Sequence, residues 1–184
     1  MILLVDWERV YNLLKEVTPL PVDCGQLCGS ICCLEWEKGV GMYLLPGEDV
    51  MFDKAEEWLD WQEHAAEEYE FCPGWQGSLY FVICRGVCPR DRRPFACRTF
   101  PVSPYLSPAG ILELRLEGAA IPVCPLVRAG DINVLDRRFL ARARLAWEEL
   151  LEDPLIREHV EWESRSLDRL ADEPWQKLLR IAKK

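Results

Sequence analysis

Residues 22–36 read VDCGQLCGSICCLEW and place Cys24, Cys28, Cys32 and Cys33 inside ten positions. Disulfides, a reactive thiol and a metal site all compete to explain so dense a group. In a helix, cysteines at i, i+4 and i+8 share one face, so three sulfurs would form a row. In a loop, Gly25 and Gly29 let the backbone fold around an ion. In either form, packing several thiolates together without a cation is electrostatically costly. A bound metal removes that cost by deprotonating and neutralising them.

Working outward, a second group stands in CRGVCPRDRRPFACRTFP, residues 84–101, as Cys84, Cys88 and Cys97, and Cys124 follows in IPVCPL. Cys72 stands alone in EFCPGW, and the total of nine is odd, so the cysteines cannot all pair within one chain. The opening MILLVDWERV lacks the basic region and long apolar run of a secretory signal, and no run approaches the ~18 to 20 apolar residues of a membrane helix. A cytoplasmic protein is expected, with its thiols kept reduced, and there clustered cysteines bind metal more often than they form bridges. The formal charge of −9 argues against nucleic acid and against anionic membranes as partners, because both require clustered cations. The partner expected is a metal ion; no protein partner can be read.

Four thiolates suit Zn²⁺ in a closed tetrahedral site and suit an iron–sulfur cluster equally. Arg85, Arg90, Arg92, Arg93 and Arg98 crowd the second group in an otherwise acidic chain. They would offset thiolate charge and donate hydrogen bonds to sulfur, or they would pair with the acidic stretch at 49–70.

At these residues the chain resembles the YkgJ-like cysteine-cluster family, a zinc- or iron-chelating domain. The resemblance rests on CGQLCGSICC at 24–33, MYLLPGE at 42–48, CRGVC at 84–88 and RPFACRTFP at 93–101, and covers about residues 22–105, with Cys124 as an extension. The insert around 53–76, with Cys72, departs from the family pattern. The resemblance implies metal chelation by Cys24, Cys28, Cys32, Cys33, Cys84, Cys88, Cys97 and Cys124, as Zn²⁺ or iron in an iron–sulfur cluster, at one or two sites. It also implies the alternatives of electron transfer, redox sensing, or an accessory cluster of a methyltransferase-type enzyme, although no glycine-rich cofactor fingerprint accompanies it.

Around the cysteines, Asp6 is a candidate N-cap for a helix over 6–18, in which Trp7, Val10, Tyr11, Leu14 and Val17 recur at helical spacing. Residues 41–48 suggest a short strand and turn. Residues 49–70 are very acidic and are expected to form a solvated helix in which Trp58 and Trp61 share a face. SLYFVIC at 78–84 and GILELRLE at 110–117 read as strands. The prolines at 89, 94, 101, 104 and 108 predict an irregular loop over 85–109. From Asp131 a stripe of Ile132, Leu135, Phe139, Ala143, Trp147 and Leu150 predicts a helix, with shorter helices at 155–163 and 166–182.

A thiol enzyme lacks a base, because His64 and His159 fall among glutamates in expected helices, and neither has the Glu-x-x-His spacing of a carboxylate di-metal site. No catalytic residue is assigned. The expectation is one α+β domain over 1–184: a small, irregular, cysteine-rich and metal-stapled core at 22–126, a few short strands, peripheral helices and a helical C-terminal appendage at 131–184.

Overall fold

The structure is a computed structural model that describes residues 5–33, 41–66, 71–85, 89–120 and 123–172. It is a mixed helix and sheet protein. Helix α1 (Trp7–Leu13) starts where expected, with Asp6 accepting the Arg9 backbone N–H at 3.0 Å. Trp7, Val10, Tyr11 and Leu14 are all buried, as their spacing requires. Helix α2 (Cys24–Cys28) carries the first cysteines.

Strand β1 (Met42–Tyr43) pairs with one edge of β3 (Ser78–Cys84), and β2 (Leu59–Ala65) pairs with the other, all antiparallel. Helix α3 (Phe95–Thr99) leads into a hairpin of β4 (Val102–Leu106) and β5 (Leu112–Leu116). Helices α4 (Pro125–Ala129), α5 (Arg137–Leu150) and α6 (Pro154–Asp172) follow.

Three sequence expectations are corrected. The acidic stretch at 49–70 is not a helix: Glu48–Met51 is a single 3₁₀ turn, Leu59–Ala65 is β2, and residues 67–70 lie outside the described residues. Pairing with β3 along its whole length, from Leu59 opposite Cys84 to Ala65 opposite Ser78, overrides local helix preference. Trp61 then packs edge-on against Tyr80 across the ladder, with ring centroids 5.7 Å apart. Trp58 and Trp61 both flank the small cluster of Leu44, Leu59 and Val82.

The stretch at 85–109 is not an irregular loop. It contains a 3₁₀ turn at Arg90–Arg92, then α3 and β4. Proline is tolerated there because β4 has a single partner, β5, and an edge strand can spare an N–H.

The C-terminal helices are not peripheral. Phe139, Ala143, Ala146, Trp147 and Leu150 of α5 pack with Trp7, Val10 and Tyr11 of α1, Phe95 of α3 and Ile156 and Val160 of α6 in the main core. Helix α6 also runs unbroken from Pro154 to Asp172, and later residues lie outside the described ones. Pro154 opens this helix, where a missing N–H costs nothing, and Asp153 accepts the Leu155 backbone N–H at 2.9 Å.

Ser164 fixes α6 to the hairpin. Its buried hydroxyl donates to the Val160 carbonyl at 2.7 Å and accepts the Leu106 N–H at 2.9 Å. Ser164→Ala leaves that N–H buried without an acceptor and should cost about 1–3 kcal/mol. Chemical denaturation of the two proteins measures this; an unchanged midpoint would show that the tie contributes nothing.

Candidate metal centre

Asp23 caps α2, accepting the Gly25 N–H at 3.1 Å, and so holds Cys24 and Cys28 one helical turn apart. The helix ends at Gly29 with φ +68°, and Ser30 follows at φ +54°. Glycine adopts this left-handed region freely, whereas serine does so only when the surroundings hold it there. The Ser30 N–H reaches back to the Gly25 carbonyl at 2.8 Å, and the Cys33 N–H binds the Ser30 carbonyl at 2.7 Å. The segment is therefore neither of the two forms considered from sequence. It is a helical turn, a left-handed reversal and a 3₁₀ turn at Ile31–Cys33, and the reversal brings Cys32 back toward Cys24 and Cys28.

Cys124 arrives from the other end of the chain, at the N-cap of α4, with Pro125 at the first helical position. Cys24, Cys28, Cys32 and Cys124 line one cavity of about 150 Å³, walled otherwise by apolar side chains that include Leu27, Ile31 and Phe100. An adjoining cavity of about 350 Å³ is lined by Cys32, Cys33, Cys97, Met42 and Arg93 among others. A third, of about 260 Å³, has Cys24, Cys32 and Cys97 facing Arg90, Arg93 and Arg98. Cys32 lines all three.

The Cys32 and Cys33 sulfurs are 3.9 Å apart, and the Cys97 sulfur is 3.4 Å from that of Met42. No disulfide links the eight described cysteines to one another. Burial pushes the Cys24 thiol up first, and Cys32, Asp23, Cys28 and Cys124 push it further. A cation held among these thiols would reverse the sign of that effect on Cys24.

The other candidates are placed less centrally. Cys84 ends β3 and packs against the Leu44, Leu59 and Val82 cluster; Val82, two residues before it, is the register partner of Met42. Cys88 lies outside the described residues. Cys72 is buried, and its thiol is pushed up by burial and by Glu158 of α6.

The arginines divide. Arg85 binds Asp60 at 2.6 Å and Arg92 pairs with Glu56, so these two meet the acidic stretch. Arg90 pairs with Asp23 at 3.2 Å and, with Arg93 and Arg98, faces the cysteines of the third cavity.

Glu48 is fully buried, and its role was not legible in sequence. Its carboxylate accepts the Tyr11 hydroxyl at 2.6 Å, the Phe95 N–H at 2.6 Å and the Leu45 N–H at 2.9 Å. It therefore anchors the start of α3, which carries Cys97 and Arg98. Arg98 lies over the Tyr11 ring at 4.2 Å and donates to the Arg93 carbonyl at 2.7 Å.

The donors suit a thiophilic metal in kind: soft sulfur in a mostly apolar enclosure with cationic groups at one margin. Among the described residues, no three cysteine, histidine or carboxylate side chains converge closely enough to form a finished ligand set. No helix among them is long and apolar enough to cross a membrane. No family model matches the chain, and no curated protein or solved structure does so either.

Proposed function

We propose that the protein is a cytoplasmic metal-binding protein that holds zinc or iron through clustered cysteine thiolates, as its resemblance to the YkgJ-like family implies. The observation that carries this reading is the meeting of Cys24, Cys28, Cys32 and Cys124, from two distant segments, around one small apolar cavity. These four would form the first ligand set. Cys33, Cys84, Cys88 and Cys97 would supply a second set or remain as spares. Zinc so held would cross-link the fold, whereas an iron–sulfur cluster would supply one-electron chemistry.

The chain's own contribution is positional. Asp23 and the Gly29–Ser30 reversal aim the first group, and Glu48 holds α3 and with it Cys97. In this reading the cysteine-rich segment is a core stapled by metal. An iron–sulfur centre for electron transfer or redox sensing has a specific observation in its favour. Arg90, Arg93 and Arg98 face cysteines, and such groups offset cluster charge and tune its potential.

Elemental analysis, acid-labile sulfide and a visible spectrum of protein purified without oxygen test both readings. Zinc in a colourless protein is the structural outcome. Iron with sulfide in a brown protein is the redox outcome. Protein free of both metals would overturn the proposal.

A further inference from the structure

A cavity of about 500 Å³ shares Ala96 and Phe100 with the cysteine-lined cavity beside it but contains no cysteine among its lining residues. Its size falls within the ~300–1,000 Å³ range of small-molecule sites. Aromatic side chains dominate the wall, among them Tyr43, Phe71, Phe95 and Trp147. The ionisable groups are His159, Glu117 and Glu163, and the described lining includes no lysine or arginine.

Two contacts fix the state of His159 at the wall. The His159 Nδ1 lies 3.0 Å from the Phe71 carbonyl, which can only accept, so Nδ1 carries the proton. The Phe71 ring stacks flat on the imidazole, with centroids 3.8 Å apart and planes within 2°. Burial holds His159 below its ordinary range, against the opposing pulls of the Phe71 hydrogen bond and Glu163, which favours the neutral ring with Nε2 as an acceptor.

We propose that this cavity binds a small organic ammonium ion with an apolar, aromatic-sized body. Aromatic faces attract cations, and the two carboxylates and His159 Nε2 all accept N–H bonds. An anion of the same shape would meet two carboxylates with no compensating cation. Glu117 is held in place by accepting the Ala119 N–H at 3.1 Å, whereas Glu163 is exposed and acts at the mouth.

The test uses the whole chain as purified and three isosteric phenols: tyramine, the neutral alcohol tyrosol, and 3-(4-hydroxyphenyl)propionate. Calorimetric titration at neutral pH should find tyramine bound roughly tenfold more tightly than either of the others. Glu117→Gln combined with Glu163→Gln, both at partly or fully exposed positions, should abolish that preference and leave tyrosol binding unchanged. Circular dichroism confirms that the variant is folded. Three results would each overturn the proposal: no saturation by millimolar tyramine, equal or tighter binding of the neutral or anionic phenol, or a double variant that keeps the preference.

Discussion

Replacing Glu48 by alanine should destabilise the protein by about 3–5 kcal/mol, the range seen when one partner of a buried polar network is removed. Three donors would lose their acceptor at once: the Tyr11 hydroxyl and the backbone N–H groups of Phe95 and Leu45. Each buried orphan costs about 1–3 kcal/mol, and the vacated space adds a cavity term. For a domain whose whole stability is about 5–15 kcal/mol, this is a large fraction. Thermal denaturation should register a fall of about 10–15 °C, at the ~2–4 °C per kcal/mol expected for this size. A loss below about 1 kcal/mol would remove Glu48 from its assigned role, since a single ordinary hydrogen bond accounts for that much.

The chemistry of the same carboxyl predicts a pH effect. Burial pushes Glu48 up from the ordinary carboxylate range, while its three hydrogen bonds and Arg98 pull it back. A folded-state value above the unfolded one means that the folded protein holds the proton more tightly. The stability this contributes is full below the unfolded value and is lost as pH rises through the folded one. Glu48→Gln should flatten that part of the stability–pH curve. It keeps one carbonyl for Tyr11 and Phe95 but turns its amide N–H₂ toward the Leu45 N–H, at a cost of about 1–3 kcal/mol. Because Phe95 begins α3, both variants should also loosen the placement of Cys97.

The uneven legibility of the sequence follows from which interactions are local. Asp6 and the stripe after it announce α1, and the Val–Ile and aromatic content of 78–84 marks β3 at its observed ends; of the stripe from Ile132 to Leu150, Phe139, Ala143, Trp147 and Leu150 lie on the buried face of α5, whereas Ile132 and Leu135 precede it in a 3₁₀ turn and its extended exit. Strand β2 was hidden because its charges resemble a helix surface and its reason for being a strand lies in β3. Glu48 was hidden for the same cause: its partners Tyr11 and Phe95 stand 37 and 47 positions away. The cysteines were legible as a group because thiols are costly to crowd. Their arrangement was not, because a single reversal at Gly29 and Ser30 decides where Cys32 points.

That position makes Cys32→Ser the most direct test of the proposed first ligand set. At the proposed site, serine would keep the shape but replace a soft thiolate by a hydroxyl that does not ionise near neutral pH, so one zinc or iron ligand would be lost. Structural zinc contributes about 10–16 kcal/mol of apparent binding free energy in small domains, so a defective site also lowers stability and makes the fold less sensitive to chelators. Cys32 lines all three cysteine cavities, Cys124 only the smallest, and Cys97 only the other two.

If two four-thiolate sites exist, Cys32→Ser and Cys124→Ser in the first set and Cys97→Ser in the second should each remove about half the bound metal. If only the first site exists, Cys32→Ser and Cys124→Ser should each remove nearly all of it and Cys97→Ser should retain it. Cys72→Ser is the control: Cys72 is buried beside Glu158, away from the group, and should retain full stoichiometry. Metal content measured per folded protein across the four variants separates these outcomes. Equal metal in Cys32→Ser and Cys72→Ser would show that crowding of the thiols serves packing alone, since a ligand and a buried small side chain cannot then be told apart.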